Sequence, residues 1–184
     1  MGTGLGAAVA AAAIAAAGIV IYNRLVAARL LVREAWAAIE VQLQRRASLI
    51  PNLVEVVKGY SGHERETLTR VTDARRRLET ASAPGAAARA NEELGSALER
   101  LFVLAEAYPN LKADAQFGRL QGELAETENL VAYARNYYNG AVEQYNTRAQ
   151  TVPGLLLARP LGFRPAEFFA AEAGARAPVS AALD

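Results

Sequence analysis

AWAAIEVQLQRRASLIPNLVEVVKGYSGHE, Ala35 to Glu64, is the stretch whose reading decides the fold. Trp36, Leu43, Ile50 and Val57 stand seven residues apart, and Ile39, Leu53 and Tyr60 fill the companion positions. One apolar stripe therefore climbs one face of a coiled-coil-like helix and must be covered by other helices. The phase of the stripe is unchanged across Pro51, although a proline inside a helix removes one backbone hydrogen bond and presses on the preceding turn. The spacing predicts a helix kinked at Pro51 rather than reversed there; a reversal would add one helix to the count.

Toward the carboxyl end, Leu68, Val71 and Leu78 continue the apolar face until ASAPGAAA, where Pro84 and Gly85 make the first expected turn. A second helix runs to Tyr108 with Leu94, Leu98, Leu101 and Ala105 on one face, and Pro109 and Asn110 end it. The third begins about Leu111 and ends about Gln150, sustaining Phe117, Leu124, Val131, Tyr138 and Tyr145 at seven-residue spacing. Short turns between amphipathic helices force antiparallel neighbours, so the sequence predicts an all-α, antiparallel up-and-down bundle of long helices over 23–152. Residues 153–173 are too apolar to dangle and are expected to fold back on the bundle, with a short helix around Pro165 to Glu172. A disordered tail is expected over 174–184.

Toward the amino end, no charged side chain occurs from Gly2 to Asn23, a length sufficient to cross a bilayer as a helix. The anchor is assigned to 1–22. Its span is Leu5 to Tyr22, driven by Leu5, Val9, Ile14, Ile19, Val20 and Ile21, with Tyr22 at headgroup depth. Ala-x-Ala patterns offer a cleavable signal peptide as the rival, yet the basic residues of an n-region are missing. Arg24, Arg29 and Arg33 follow the span closely, which by the positive-inside rule places the short amino terminus outside and the bundle in the cytoplasm. With no proline or glycine between Gly18 and Trp36, the span is expected to enter the bundle as unbroken helix.

Composition limits the chemistry. Twenty basic and 19 acidic side chains leave a formal net charge of +1, which provides no global field for nucleic acid. With no cysteine there is no thiol nucleophile, disulfide, thiolate metal site or lipid-attachment cysteine. One histidine cannot supply the paired Glu-x-x-His ligands of a two-metal bundle. Ser61, His63 and Glu64 hold the ingredients of a catalytic line, but residues one or two apart on a helix point in different directions. Glu123 and Glu126 share a face and read as a solvated charge pair, with a weak divalent-cation site as the rival. The amides Asn129, Asn136, Asn139 and Asn146 flank Tyr137, Tyr138 and Tyr145, and read either as buried register-setting groups or as a polar flank. Gly118 and Gly122 are costly inside a helix unless another backbone comes close, from within the chain or from a second protomer. In the span, Gly4, Ala8 and Ala12 form a row of small residues that suits self-association in lipid.

The chain also resembles the LemA family, bacterial proteins with one amino-terminal membrane helix and a helical-bundle domain. The resemblance is carried by the opening stretch and by YNRLV (Tyr22 to Val26), ANEEL (Ala90 to Leu94), AEAYPNLKAD (Ala105 to Asp114) and FGRLQGELAETEN (Phe117 to Asn129). It continues in ARNYYNGAVEQYNT (Ala134 to Thr147) and GFRPAEFF (Gly162 to Phe169). It implies a fold and a membrane address but no reaction, cofactor or named protein partner. The expectation for function is a scaffold or interaction protein, self-associating and without catalytic chemistry, in the bacterial inner membrane. An exported envelope accessory subunit or enzyme partner is the alternative, and a small-ligand sensor with a cavity near Tyr138 and Tyr145 is a third.

Overall fold

The computed structural model describes residues 2–60 and 64–170 of the 184. Six helices occur there: α1 (Gly2–Lys58), α2 (Arg65–Thr80), α3 (Pro84–Ala105), α4 (Pro109–Lys112), α5 (Ala115–Gln150) and α6 (Gly154–Ala158). No strand is present among the described residues. Near its amino end α1 contains an 18-residue window of mean hydropathy 1.8, of which 6% is buried. Val9, Ile14, Ile19 and Val20 are among its exposed side chains. An apolar helix left uncovered by the described residues is the pattern of a membrane span.

The helix passes through Pro51, whose ring lies on the exposed side, without a reversal. The first break comes later than Pro51 and earlier than the expected turn at Pro84. Helix α1 ends at Lys58, closing with Gly59 N–H to Val56 O and Tyr60 N–H to Val57 O, and a separate α2 starts at Arg65. The physical cause is GYSG, two glycines and a serine in four residues, which outweigh an apolar phase that continues into Leu68 and Val71. The second helix is also shorter than expected. It stops at Ala105, and Leu111 lies on the one-turn α4 before α5 begins.

Two compact units share α1 and α5. The first comprises residues 1–40 and 132–167, the second 41–131 and 168–184. In the second, Arg45 pairs with Glu126 at 3.2 Å and the Tyr60 hydroxyl donates to Asp114 at 2.8 Å, so the end of α1 runs antiparallel to the start of α5. Arg46 meets Asn91 and Tyr108 meets Glu64, which sets α3 parallel to α1, while Arg77 and Glu93 join α2 to α3 across their short turn. The helices therefore alternate up, down, up, down. Leu43, Ile50, Leu53 and Val57 of α1 are buried, as are Leu68, Val71 and Leu78 of α2, Leu94, Leu98 and Leu101 of α3, and Phe117, Leu124 and Val131 of α5. Tyr60 departs from the core reading. It lies past the end of α1 and is 41% exposed, its hydroxyl reaching Asp114 at the surface.

Asp114 starts α5. One carboxylate oxygen accepts the Gln116 N–H at 2.7 Å and the Phe117 N–H at 3.0 Å, satisfying two donors that a helix start otherwise leaves open. These bonds and the Tyr60 hydroxyl favour the ionised form, so the Asp114 carboxyl is held below its ordinary value, the Phe117 N–H contributing most. A lowered folded value means that its contribution is complete above the ordinary aspartate range and is lost as pH falls from about 4 through the folded value. Asp114→Asn keeps an amide-oxygen cap but cannot titrate. We expect the melting temperature of the native chain to fall more steeply than that of the variant below about pH 4; parallel curves would show that the cap charge contributes nothing.

In the first unit α1 and the end of α5 again run antiparallel, since Leu25 clusters with Tyr145 and Ala149 whereas Trp36 meets Tyr138 in a tilted contact at 5.5 Å between ring centroids. Ile39 is buried here, while Trp36 is only half-buried and so edges the core rather than filling it. After Gln150 the chain turns back onto α1 through α6. Ala158 and Phe163 are buried in the cluster with Leu25 and Ala28, and Ile21, Val26 and Leu157 pack at its edge. The described part of the expected helix at Pro165, residues 165–170, is not helical. The tail expected at 174–184 lies outside the described residues.

Candidate functional site

Where the span leaves its apolar stretch, α1 presents Tyr22, Val26, Arg29, Leu30 and Arg33 along one side. The returning segment lays Leu161 and Phe163 against them, and together they line a concavity of about 320 Å³. Phe163 is the pin. Its ring meets Tyr22 edge-on at 5.9 Å and lies under the Arg29 guanidinium at 5.9 Å, so an edge-to-face pair and a cation–π contact hold it two turns apart on α1. Gly162 makes the approach available: its φ of +74° lies in the left-handed region, and Phe163 N–H then returns to Ala158 O at 2.9 Å.

Beyond Phe163 the chain is not helical and is held by α5 side chains that address its backbone. Tyr145 Oη donates to Arg164 O at 2.8 Å and Tyr138 Oη to Glu167 O at 2.7 Å. Asn146 makes a two-way pair with Ala166, donating to its carbonyl at 3.0 Å and accepting its N–H at 2.8 Å. Burial, followed by the nearby Glu167 carboxylate, pushes the Tyr138 phenol up to about 12, so it remains a donor throughout the neutral range. The backbone of the chain's own residues 164–167 thus lies against these side chains.

Of the four amides flanking the aromatic seam, Asn146 has this structural partner, whereas Asn129 and Asn136 are exposed on the polar flank. Glu126 pairs with Arg45 and Glu123 with Arg119 at 3.9 Å, and among the described residues no group of three or more metal-ligating side chains occurs. Ser61 and His63 lie outside the described residues; Glu64 accepts from Tyr108 at 2.8 Å. A Cβ added at Gly118 or Gly122 would meet nothing within 4 Å, so among the described residues no backbone from outside the local helix closely approaches them. Gly4 and the other small residues of the span lie on α1.

A further site went unread in the sequence. Arg46 is 4% exposed inside the second unit, its Nη1 2.5 Å from Asn91 Oδ1 and 2.5 Å from Glu128 Oε2. Burial lowers its basicity and Glu128 opposes that shift. The signal was present, because Arg46 lies three residues after Leu43 and four before Ile50, within the stripe itself. Arg45 beside it points out to Glu126, and a basic pair on a helix reads as solvated.

The sequence pattern of the LemA family matches residues 35–181. Among curated relatives, the magnetosome proteins MamQ 1 and MamQ 2 of Paramagnetospirillum magneticum are each 26% identical, over 76% of this chain and 61% of their own length. Magnetosome protein MamQ of Magnetospirillum gryphiswaldense is 25% identical, over 71% of this chain and 57% of its length. The chain thus spans about three fifths of the relatives it matches.

Proposed function

We propose that this chain, which belongs to the LemA family, is a single-pass scaffold of a bacterial cell membrane. The amino terminus is outside, the bundle is in the cytoplasm, and its surfaces bind other proteins and further copies of itself without catalytic chemistry. The observation that carries the reading is the uninterrupted passage of α1 from an exposed, charge-free stretch into helix that packs against α5. Such a passage joins the span to its bundle without a Gly-, Ser- or Pro-rich tether, which suits a platform for other proteins. Tyr133 and Tyr137, one turn apart on α5 and exposed at 76% and 44%, favour protein contact, since an amphipathic ring gives a large contact area at small entropic cost.

Two measurements test this. Single cysteines at Thr3 and at Ser82, the latter in the turn between α2 and α3, are treated in intact cells with an impermeant maleimide. Labelling at Thr3 alone is expected; labelling at Ser82 alone would reverse the topology and favour an exported envelope role. The mass in mild detergent is then compared for the native chain and for the variant Gly4→Leu, Ala8→Leu, Ala12→Leu, which keeps the span insertable while blocking its row of small residues. We expect an oligomer that the variant weakens, whereas a native monomer would end the self-association reading.

A further inference from the structure

We propose that the segment from Gln150 to Phe163 is a membrane foot, lying in the bilayer interface beside the span and, with Arg29 and Arg33, holding the headgroup of an anionic phospholipid. This rests on the anchoring proposed above. The foot docks where the span ends: Phe163 touches Tyr22, Ala158 packs with Leu25, and Ile21 borders the same cluster. It turns outward side chains that a surface in water would not hold together. Val152, Leu156 and Leu161 are exposed at 73%, 67% and 51%, and Leu30 on α1 adds another at 54%.

Within two stretches at this end, bounded by Glu34, Glu143 and Glu167, the charge has one sign. From Gly2 to Arg33 the charged side chains are Arg24, Arg29 and Arg33, and from Gln144 to Ala166 they are Arg148, Arg159 and Arg164, with no Asp or Glu in either stretch. The chain as a whole is almost neutral, so this end of the first unit concentrates cations that the rest of the molecule balances elsewhere. Exposed apolar residues interleaved with arginine are the composition of a segment lying in the headgroup region and preferring anionic lipid. The 320 Å³ concavity gives that preference a place, with arginines at its rim and Leu30, Leu161 and Phe163 available to acyl-chain methylenes.

The test places a tryptophan on the foot. The full chain carrying Trp36→Phe and Leu156→Trp is reconstituted into vesicles of equal phosphatidylcholine and phosphatidylglycerol, with dibrominated chains on one lipid or on the other. Flotation with the vesicles after alkaline carbonate reports the anchor independently. We expect the indole at 156 to lose most of its emission to brominated chains, and to lose more when phosphatidylglycerol carries the bromine. A tryptophan at the exposed position 133 instead should keep its emission. Arg29→Gln and Arg33→Gln should abolish the difference between the lipids, each arginine accounting for up to about a fivefold change in local anionic lipid. A chain that floats but shows no quenching at 156, including one whose indole is blue-shifted under another protein copy, overturns the foot and leaves the anchor standing. Equal quenching by the two lipids overturns the headgroup selection, and a chain that does not float brings down both readings.

Discussion

Glu128→Ala is expected to destabilise the second unit by about 3 kcal/mol in the native background and by almost nothing once Arg46 has become leucine. The asymmetry follows from where the two charges sit. Glu128 has a side chain 53% exposed, so when its partner is removed it turns to water at little cost; Arg46, at 5%, has no such recourse and cannot shed its proton. Among the described residues, removing the carboxylate leaves a desolvated guanidinium with the single acceptor Asn91 Oδ1, and Nε of Arg46 already lacks a protein partner there. Arg46→Leu alone should cost about 1–2 kcal/mol, most of it from leaving the buried Asn91 carbonyl without a donor. Urea midpoints from the helical signal in mild detergent close the cycle. An equal loss from Glu128→Ala in both backgrounds would show that the pair is not coupled.

Gly154→Ala should release the returning segment. A Cβ there would lie 1.9 Å from the carbonyl oxygen of Arg148 and 3.1 Å from its carbonyl carbon, both main-chain atoms of the last turn of α5 that no rotamer change can move aside. The start of α6 must therefore lift from α5, and with it go the four hydrogen bonds that hold 164–167, worth about 1 kcal/mol each. Chymotrypsin is expected to cut the variant after Leu157 and Phe163 far faster than the native chain. Unchanged cleavage and an unchanged melting temperature would mean that the close approach is relieved locally.

The seam at Ile39, Leu43, Ile50, Leu53 and Val57 was legible because a seven-residue repeat is a local property that needs no knowledge of what covers it. The break after Lys58 was not, because Leu68 and Val71 keep the phase and so conceal a reversal; only the glycines of GYSG carried the signal. The ordinary preference of proline for the first turn predicts a helix start at Pro165, but the backbone there is spoken for by Tyr138, Tyr145 and Asn146, contacts that no sequence pattern announces. Arg46 was hidden for a related reason. Which of two adjacent arginines turns inward depends on an asparagine 45 residues away. The segment that lies against the tyrosines turns at Gly162, a residue that composition alone does not distinguish from any loop glycine.

The contacts from α5 to residues 164–167 have one further property. Tyr138, Tyr145 and Asn146 reach carbonyl oxygens and one amide proton, groups that every residue type carries, apart from the proton that proline lacks. Arg164 and Glu167 can therefore exchange for almost anything without loosening the latch, and position 166 accepts all but proline. The three α5 residues have no such freedom, since phenylalanine at 138 or 145 removes the donor outright. Mutational drift is thus free on one side of the contact and closed on the other, and two strands of unlike sequence would be held equally well.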